Sequence, residues 1–121
     1  MMQSYKDLIV YQKAYKLALE IYLITKNYPK EKIYGLVSQM RRSSVSIPCN
    51  IAEGYRRGHR KEYIQFLHMA HGSCGELETL MSLSYDLAMI DRDTFGKLYP
   101  MQEEISKLLN GLISSLVKPK K

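Results

Sequence analysis

Three potential metal ligands, His68, His71 and Cys74, follow one another at intervals of three residues. On a helix, residues three apart lie close to one another, on a face that rotates gradually around the helix axis. A zinc site would need a fourth ligand, for which Cys49 or Glu78 is available. A di-iron bundle would use Glu-x-x-His motifs, and the sequence contains none. We therefore expect no metal and no cofactor, with a zinc site as a remote alternative and solvated or interface histidines as the default.

The serines near the middle of the chain are the available nucleophiles. Ser43, Ser44 and Ser46 lack a histidine at a recognisable spacing, and no glycine-rich phosphate loop follows a strand. Ser44 is better explained by Pro48, which removes the N–H that its carbonyl would accept, so that nearby hydroxyls are expected to satisfy freed backbone groups. We predict that the protein is not an enzyme. Cys49 and Cys74 are expected to be small buried hydrophobes.

Positive charge is the remaining functional signal. The net charge of +6 is concentrated in the first half of the chain and in the C-terminal tail 118–121. Guanidinium groups suit bidentate contacts with phosphate, and Tyr55 and Tyr63 flank the densest cluster as stacking surfaces. Alternatively, the cluster is a solvated loop that pairs with Glu53 and Glu62. The predicted nucleic-acid-binding residues are Arg41, Arg42, Arg56, Arg57, His59, Arg60 and Lys61.

Apolar residues at three- and four-residue spacing predict the elements that position these side chains. Four helices are expected at about 7–27, 34–55, 60–89 and 93–117, with N-cap chemistry from Asp91 and a kink or break at Pro100. The apolar seam expected on the third helix is Tyr63, Leu67, Ala70, Cys74, Leu77, Met81, Ser84 and Ala88. The stripe expected on the fourth is Leu98, Met101, Ile105, Leu108, Leu112 and Leu116. No segment alternates with period two. Short connections make successive helices antiparallel, so we predict an all-α, up-down-up-down four-helix bundle formed by one domain, 1–121.

Two helices carry more apolar surface than a single bundle needs. The surplus predicts a subunit interface, although tyrosines that only widen the edge of the core would give a similar pattern. Small residues on the third helix would let another helix approach closely. The predicted interface residues are Tyr11, Tyr15, Tyr22, Val45, Pro48, Gly72 and Gly75.

The segment 39–58 combines an internal proline with an Asn50/Glu53 pair. A proline inside a helix lowers the stability of that helix by about 3 kcal/mol. If the pair is buried it must be hydrogen-bonded, and Arg42 is the expected partner of Glu53, as part of a structural polar network. The N-terminus lacks an apolar signal region, and no apolar run is long enough to span a membrane, so we expect a cytoplasmic protein.

The runs RRSSVSIPCNIAEGYRR and KEYIQFLHMAHGSCGELET resemble the family of proteins encoded in intervening sequences of 23S ribosomal RNA genes. This S23 ribosomal protein family includes accessory variability proteins of diversity-generating retroelements. The resemblance extends to DLIVYQKAYKLALEIY and LLNGLISSL, and thus over nearly the whole chain. The residues matching its signature are Ser46, Ile47, Pro48, Asn50, Ile51, Ala52, Glu53 and Gly54.

The resemblance implies a bundle that assembles as a homopentameric ring. Its retroelement members are basic and bind nucleic acid and the reverse transcriptase, and Arg41, Arg42, Arg56 and Arg57 match the family's usual charges. Where the pattern often has Ser-Pro, this chain has His59-Arg60, a departure that adds charge and weakens the cap of the third helix. We therefore predict a non-catalytic accessory or scaffold protein that binds RNA or DNA. The alternative is a protein-interaction module without a nucleic-acid role.

Overall fold

A computed structural model describes residues 4–29 and 33–118, with the side chains of 33 and 34 excepted. A single 3-10 turn, Tyr5–Asp7, precedes α1 (Ile9–Thr25), and a π-helical turn, Ile33–Val37, leads into α2 (Ser38–Arg56). α3 (Arg60–Asp86) and α4 (Arg92–Val117) complete the order. The predicted all-α four-helix bundle is confirmed, and the described residues contain no strand. None of the helices within them has the length and apolarity to cross a membrane. Residues 119–121 of the predicted basic tail lie outside the described ranges.

The core is a single stripe from each helix. The spacing analysis is confirmed on α3, whose buried positions run from Leu67 to Ser84 at heptad-like intervals. On α4 the buried stripe is rotated relative to the expected apolar positions: Gln102, Leu109 and Ile113 are buried, whereas Leu108 is only partly so. The helix is apolar on more than one face, so the spacing of its own residues does not decide which face turns inward. The helix also continues through Pro100, which does not divide it.

α3 ends three residues earlier than predicted because Ala88 adopts a left-handed conformation, with φ of 60°. The N–H of Met89 donates to the carbonyl of Ser84 at 2.8 Å, and the N–H of Ala88 to Tyr85 at 2.9 Å. These are the two hydrogen bonds of a Schellman motif, in which glycine is the usual residue at the left-handed position. The expected N-cap of α4 is confirmed, since the Asp91 carboxylate accepts from the N–H of Thr94 at 2.7 Å.

The signature segment packs α2 against α3. Pro48 is buried inside a helix that continues past it, and Ser46 forms a hydrogen bond with Ser73 of α3. A Cβ added to the buried Gly54 would stand 2.6 Å from the Cβ of Phe66, so glycine is required by the close approach of the two helices. The serines do not act as expected: the hydroxyls of Ser43 and Ser44 donate to Met40 and Arg41, and that of Ser46 to Ser43. None donates to the carbonyl of Ser44.

The two cysteines differ in environment. Cys74 is fully buried in the core, as expected, and its burial raises the pKa of the thiol to about 12. Cys49 is exposed, and its expected burial is wrong. It lies one residue after the buried Pro48 and therefore points away from the core stripe of α2. At neutral pH the Cys74 thiol therefore stays protonated and packs as an apolar core group.

Candidate nucleic-acid interface

Three segments that are distant in the sequence meet at one end of the bundle. The α2–α3 turn, residues 57–59, faces the C-terminal end of α4, and together they line a cleft of about 360 Å³ that includes His59, Arg60 and Lys118. The N-terminal turn lies against the end of α2, and a second, more open cleft of about 490 Å³ includes Lys6 and Arg56. Gly58, with φ of 76°, allows the sharp turn between α2 and α3. We call this surface, with Lys61, the basic end.

Most cations of the basic end have no anionic partner. Arg56, Arg60 and Lys61 are exposed, and none of them forms a salt bridge with any acidic side chain in residues 4–29 and 33–118. The same holds for Lys6 and Lys118. His59 is the N-cap of α3 and makes no side-chain capping bond, in agreement with the weak cap expected from His59-Arg60. Unpaired cations gathered in this way create a positive potential that attracts a polyanion.

Arg57 is the exception within the cluster. Its guanidinium pairs with Glu53 at 3.0 Å and with Glu62 at 3.2 Å, and lies 5.0 Å from the ring centre of Phe66. The hydrogen bond with Glu53 is the main reason that the pKa of Arg57 is raised. The expected Arg42–Glu53 pair is therefore wrong. Arg57 therefore differs from the other arginines of the cluster in having two carboxylate partners.

The other expected members of the Asn50/Glu53 network are also local. The Asn50 side chain donates to the carbonyl of Ser46 at 2.8 Å, within α2 itself. The Glu53 side chain is 52% exposed, and among the described residues its ion-pair partner is Arg57. The condition of burial is not met for Glu53, and the two side chains form no joint network, because each finds its partner about one helical turn away.

Arg41 and Arg42 do not belong to the basic end. They precede Arg56 by about four turns, which is roughly 20 Å along α2. Nε of Arg41 donates to the Thr25 hydroxyl at 2.9 Å, and its guanidinium lies 4.7 Å from the ring centre of Tyr22. Arg42 donates to Gln39 at 2.7 Å and pairs with Glu76 at 3.5 Å. These two arginines are the part of the sequence-predicted site that the fold separates from the rest.

The structure does not assemble the alternative metal site. His68 is exposed, His71 is half-buried, and Cys74 lies in the core. Nε2 of His71 is 3.2 Å from the hydroxyl of Ser106, and no carboxylate of the described residues is hydrogen-bonded to that ring. In the part of the chain that the structure describes, no group of three or more His, Cys, Asp and Glu side chains is placed to hold a metal ion.

The surplus apolar stripes of α1 and α2 lie side by side, as their positions on the two helices predict. They line an apolar groove of about 360 Å³, to which Tyr11, Tyr15, Tyr22, Val45 and Pro48 all contribute. We call it the α1–α2 groove. Its rim is unusually apolar for a surface: Tyr15 and Leu19 are each 53% exposed and Tyr22 is 42% exposed. The other two predicted interface residues, Gly72 and Gly75, are exposed on α3 away from this groove, and no atom lies within 4 Å of a Cβ built on either.

Sequence inspection missed Lys6 and Lys118 as members of the basic end. Lys6 stands beside Asp7 near the N-terminus and Lys118 belongs to the basic tail, and only the bundle topology brings both to the α2–α3 turn. Tyr55 and Tyr63 do flank the cluster as expected, with ring centres 5.8 Å apart in an edge-to-face arrangement. Burial raises the pKa of Tyr63 to about 12.

Known proteins share this sequence and fold. A family model described as 23S rRNA-intervening sequence protein matches residues 6–111. A crystal structure from Bacteroides thetaiotaomicron VPI-5482, of a protein with unknown function from the S23 ribosomal protein family, superposes with a TM-score of 0.79 at 28% identity. The alignment covers 87% of this chain and 98% of that one. No curated protein matches the chain.

Proposed function

The chain belongs to the family of 23S rRNA-intervening sequence proteins, and on that basis we propose that it is a non-catalytic accessory or scaffold protein that binds nucleic acid through its basic end. The proposal assigns phosphate contact to the cations without acidic partners. Arg57 and the more distant Arg41 and Arg42 are given structural roles instead. The proposed contact residues are Lys6, Arg56, His59, Arg60, Lys61 and Lys118.

The convergence of unpaired cations from three chain segments is the observation that carries this proposal. Elsewhere on the surface, lysines are paired with carboxylates: Lys13 pairs with Glu104 at 3.2 Å, and Lys97 pairs with Glu20 at 3.2 Å. At the α2–α3 turn, the carboxylates of Glu53 and Glu62 are both paired with Arg57. The remaining cations are therefore free to replace the counterions of a phosphate backbone.

Binding of mixed-sequence RNA and DNA at increasing salt tests this function directly. Affinity is expected to be measurable at about 50 mM salt and to fall steeply by about 200 mM, because each phosphate neutralised by a cation releases counterions. Fluorescence anisotropy with labelled oligonucleotides gives the slope of log K against log salt. Absence of binding at the lowest salt would overturn the proposal.

The α1–α2 groove supports a second candidate function, self-association or docking of another protein. We propose that copies of the chain bury this groove against one another, with the pentameric ring implied by the family resemblance as the expected form. A basic end repeated around a ring would bind one polyanion at several points and so increase avidity. In a retroelement setting a reverse transcriptase is a further proposed partner, to be tested by co-purification.

Replacing Leu19 by glutamine is expected to shift the protein towards smaller species in sedimentation velocity, because it places an amide on an apolar contact surface. Leu87→Gln is the matched control, since Leu87 is 62% exposed and lies outside the groove. Cys49, which lines the groove, reports the same event: its alkylation is expected to be slow in the assembly and faster in the Leu19 variant. A monomeric wild-type protein at all concentrations would contradict self-association.

A further inference from the structure

Tyr55 separates the two clefts of the basic end and lines both of them. On one side its neighbours are the cations Arg60 and Lys118, the imidazole of His59 and the apolar side chain of Leu116. On the other side are Lys6 and Arg56, together with a second aromatic ring, Tyr5. Each cleft thus combines positive charge with an apolar or aromatic wall, and the volumes of about 360 and 490 Å³ are in the range of small-molecule sites, roughly 300–1,000 Å³.

This combination has a different use from a flat basic patch. Duplex nucleic acid presents phosphates outward and keeps its bases stacked inside, so a convex surface of lysines and arginines is sufficient to bind it. Unpaired bases expose their faces and edges, and proteins bind them through aromatic side chains next to a basic groove. An aromatic ring between two basic clefts can stack on an unpaired base that enters either cleft.

The ring of Tyr55 is held in place for such a role. It meets Tyr63 edge-to-face, with an interplanar angle of 89°, and Tyr63 is itself packed against the core. Tyr5 is similarly fixed by Tyr11, with ring centres 4.9 Å apart. Positioned rings lose little conformational freedom when a base stacks on them, which favours binding.

We propose that the basic end binds single-stranded nucleic acid, with unpaired bases entering the two clefts on either side of Tyr55. The phosphates that flank these bases contact Arg56 on one side and Arg60 and Lys118 on the other. This inference rests on the proposed nucleic-acid function and narrows it, because it names an unpaired strand as the ligand.

The test compares a labelled single-stranded oligouridylate with a duplex RNA of equal phosphate number, measured by anisotropy on the full chain at two salt concentrations. The single strand is expected to bind more tightly than the duplex. Tyr55→Ala is expected to weaken single-strand binding about tenfold or more, and duplex binding less than about twofold, with the salt slope unchanged. Tyr55→Phe keeps the ring and is expected to bind as the wild type does.

Circular dichroism of each variant checks that it is folded. The test is repeated in the second cleft with Tyr5→Ala, and Tyr5→Phe is its control. Tyr5 is suitable because it lies outside the buried core. Equal binding of single strand and duplex, or equal losses in both with Tyr55→Ala, would overturn this inference and leave the proposed function standing. Failure to bind either ligand at low salt would overturn both.

Discussion

Replacing Arg56, Arg60 and Lys118 together by alanine is expected to weaken binding of mixed RNA or DNA by at least about tenfold near 0.1 M salt. Each side chain is one of the unpaired cations of the basic end, and together they come from both clefts. Loss of three phosphate contacts is also expected to reduce the slope of log K against log salt by roughly 2–3. A salt titration of the variant, followed by anisotropy, measures both quantities.

The matched control removes the same number of positive charges from elsewhere on the bundle. Arg41, Arg42 and Lys97 each have a partner in the structure, namely Thr25, Glu76 and Glu20 respectively. Their triple alanine variant is expected to lose affinity only through the general change in net charge, with a nearly unchanged slope. If the control variant were as weak as the first, net charge alone would explain binding and the assignment of the site would be wrong.

Gly54→Ala is expected to destabilise the protein by up to about 2 kcal/mol, measured by urea or thermal unfolding. The added methyl group would stand 2.6 Å from the Cβ of Phe66, an atom that cannot move without the backbone of α3. Overpacking of this kind costs about 1–3 kcal/mol, and the higher helix propensity of alanine offsets about 1 kcal/mol of it. The α2–α3 contact would have to open, and the turn that carries His59 and Arg60 would move with it.

The same substitution at Gly75 provides the control, with the opposite sign expected. Nothing lies within 4 Å of a Cβ built there, so Gly75→Ala should gain up to about 1 kcal/mol from helix propensity alone. If Gly75→Ala instead reduces the size of an assembly, the predicted role of Gly72 and Gly75 in an interface gains support. A stabilising Gly54→Ala would show that the two helices can separate at little cost. Glycine would then not be required at position 54.

The periodicity of apolar residues was sufficient to predict the four helices and the core face of α3. That face is read correctly at its centre because Cys74 and Leu77 have only small or charged neighbours along the chain. The predicted buried face of α4 was rotated from the observed one for two reasons. Leu108 and Leu112 are as apolar as the buried Leu109 and Ile113, and Gln102 is buried although it is polar. The start of α4 could be predicted because Asp91 is a typical N-cap residue. The end of α3 could not, because nothing about an alanine indicates that Ala88 adopts a left-handed conformation.

The candidate site was likewise predicted in part from the sequence and decided in part by the tertiary structure. The sequence alone established that positive charge clusters at the α2–α3 turn, because Arg56, Arg60 and Lys61 are neighbours along the chain. Only the tertiary structure decided that Arg57 is neutralised by Glu53 and Glu62.

Tertiary structure also decided which distant cations join the cluster. Arg41 and Arg42 share a helix with Arg56 but are held about four turns away, whereas Lys6 and Lys118 arrive from the two termini. The physical reason is that the sequence around a charged side chain can indicate partners one helical turn away but not which distant residues it will meet. The helical period fixes which residues share a face, but the packing of four helices fixes which ends meet, and the carboxylates and rings found there determine which cations are left to bind phosphate.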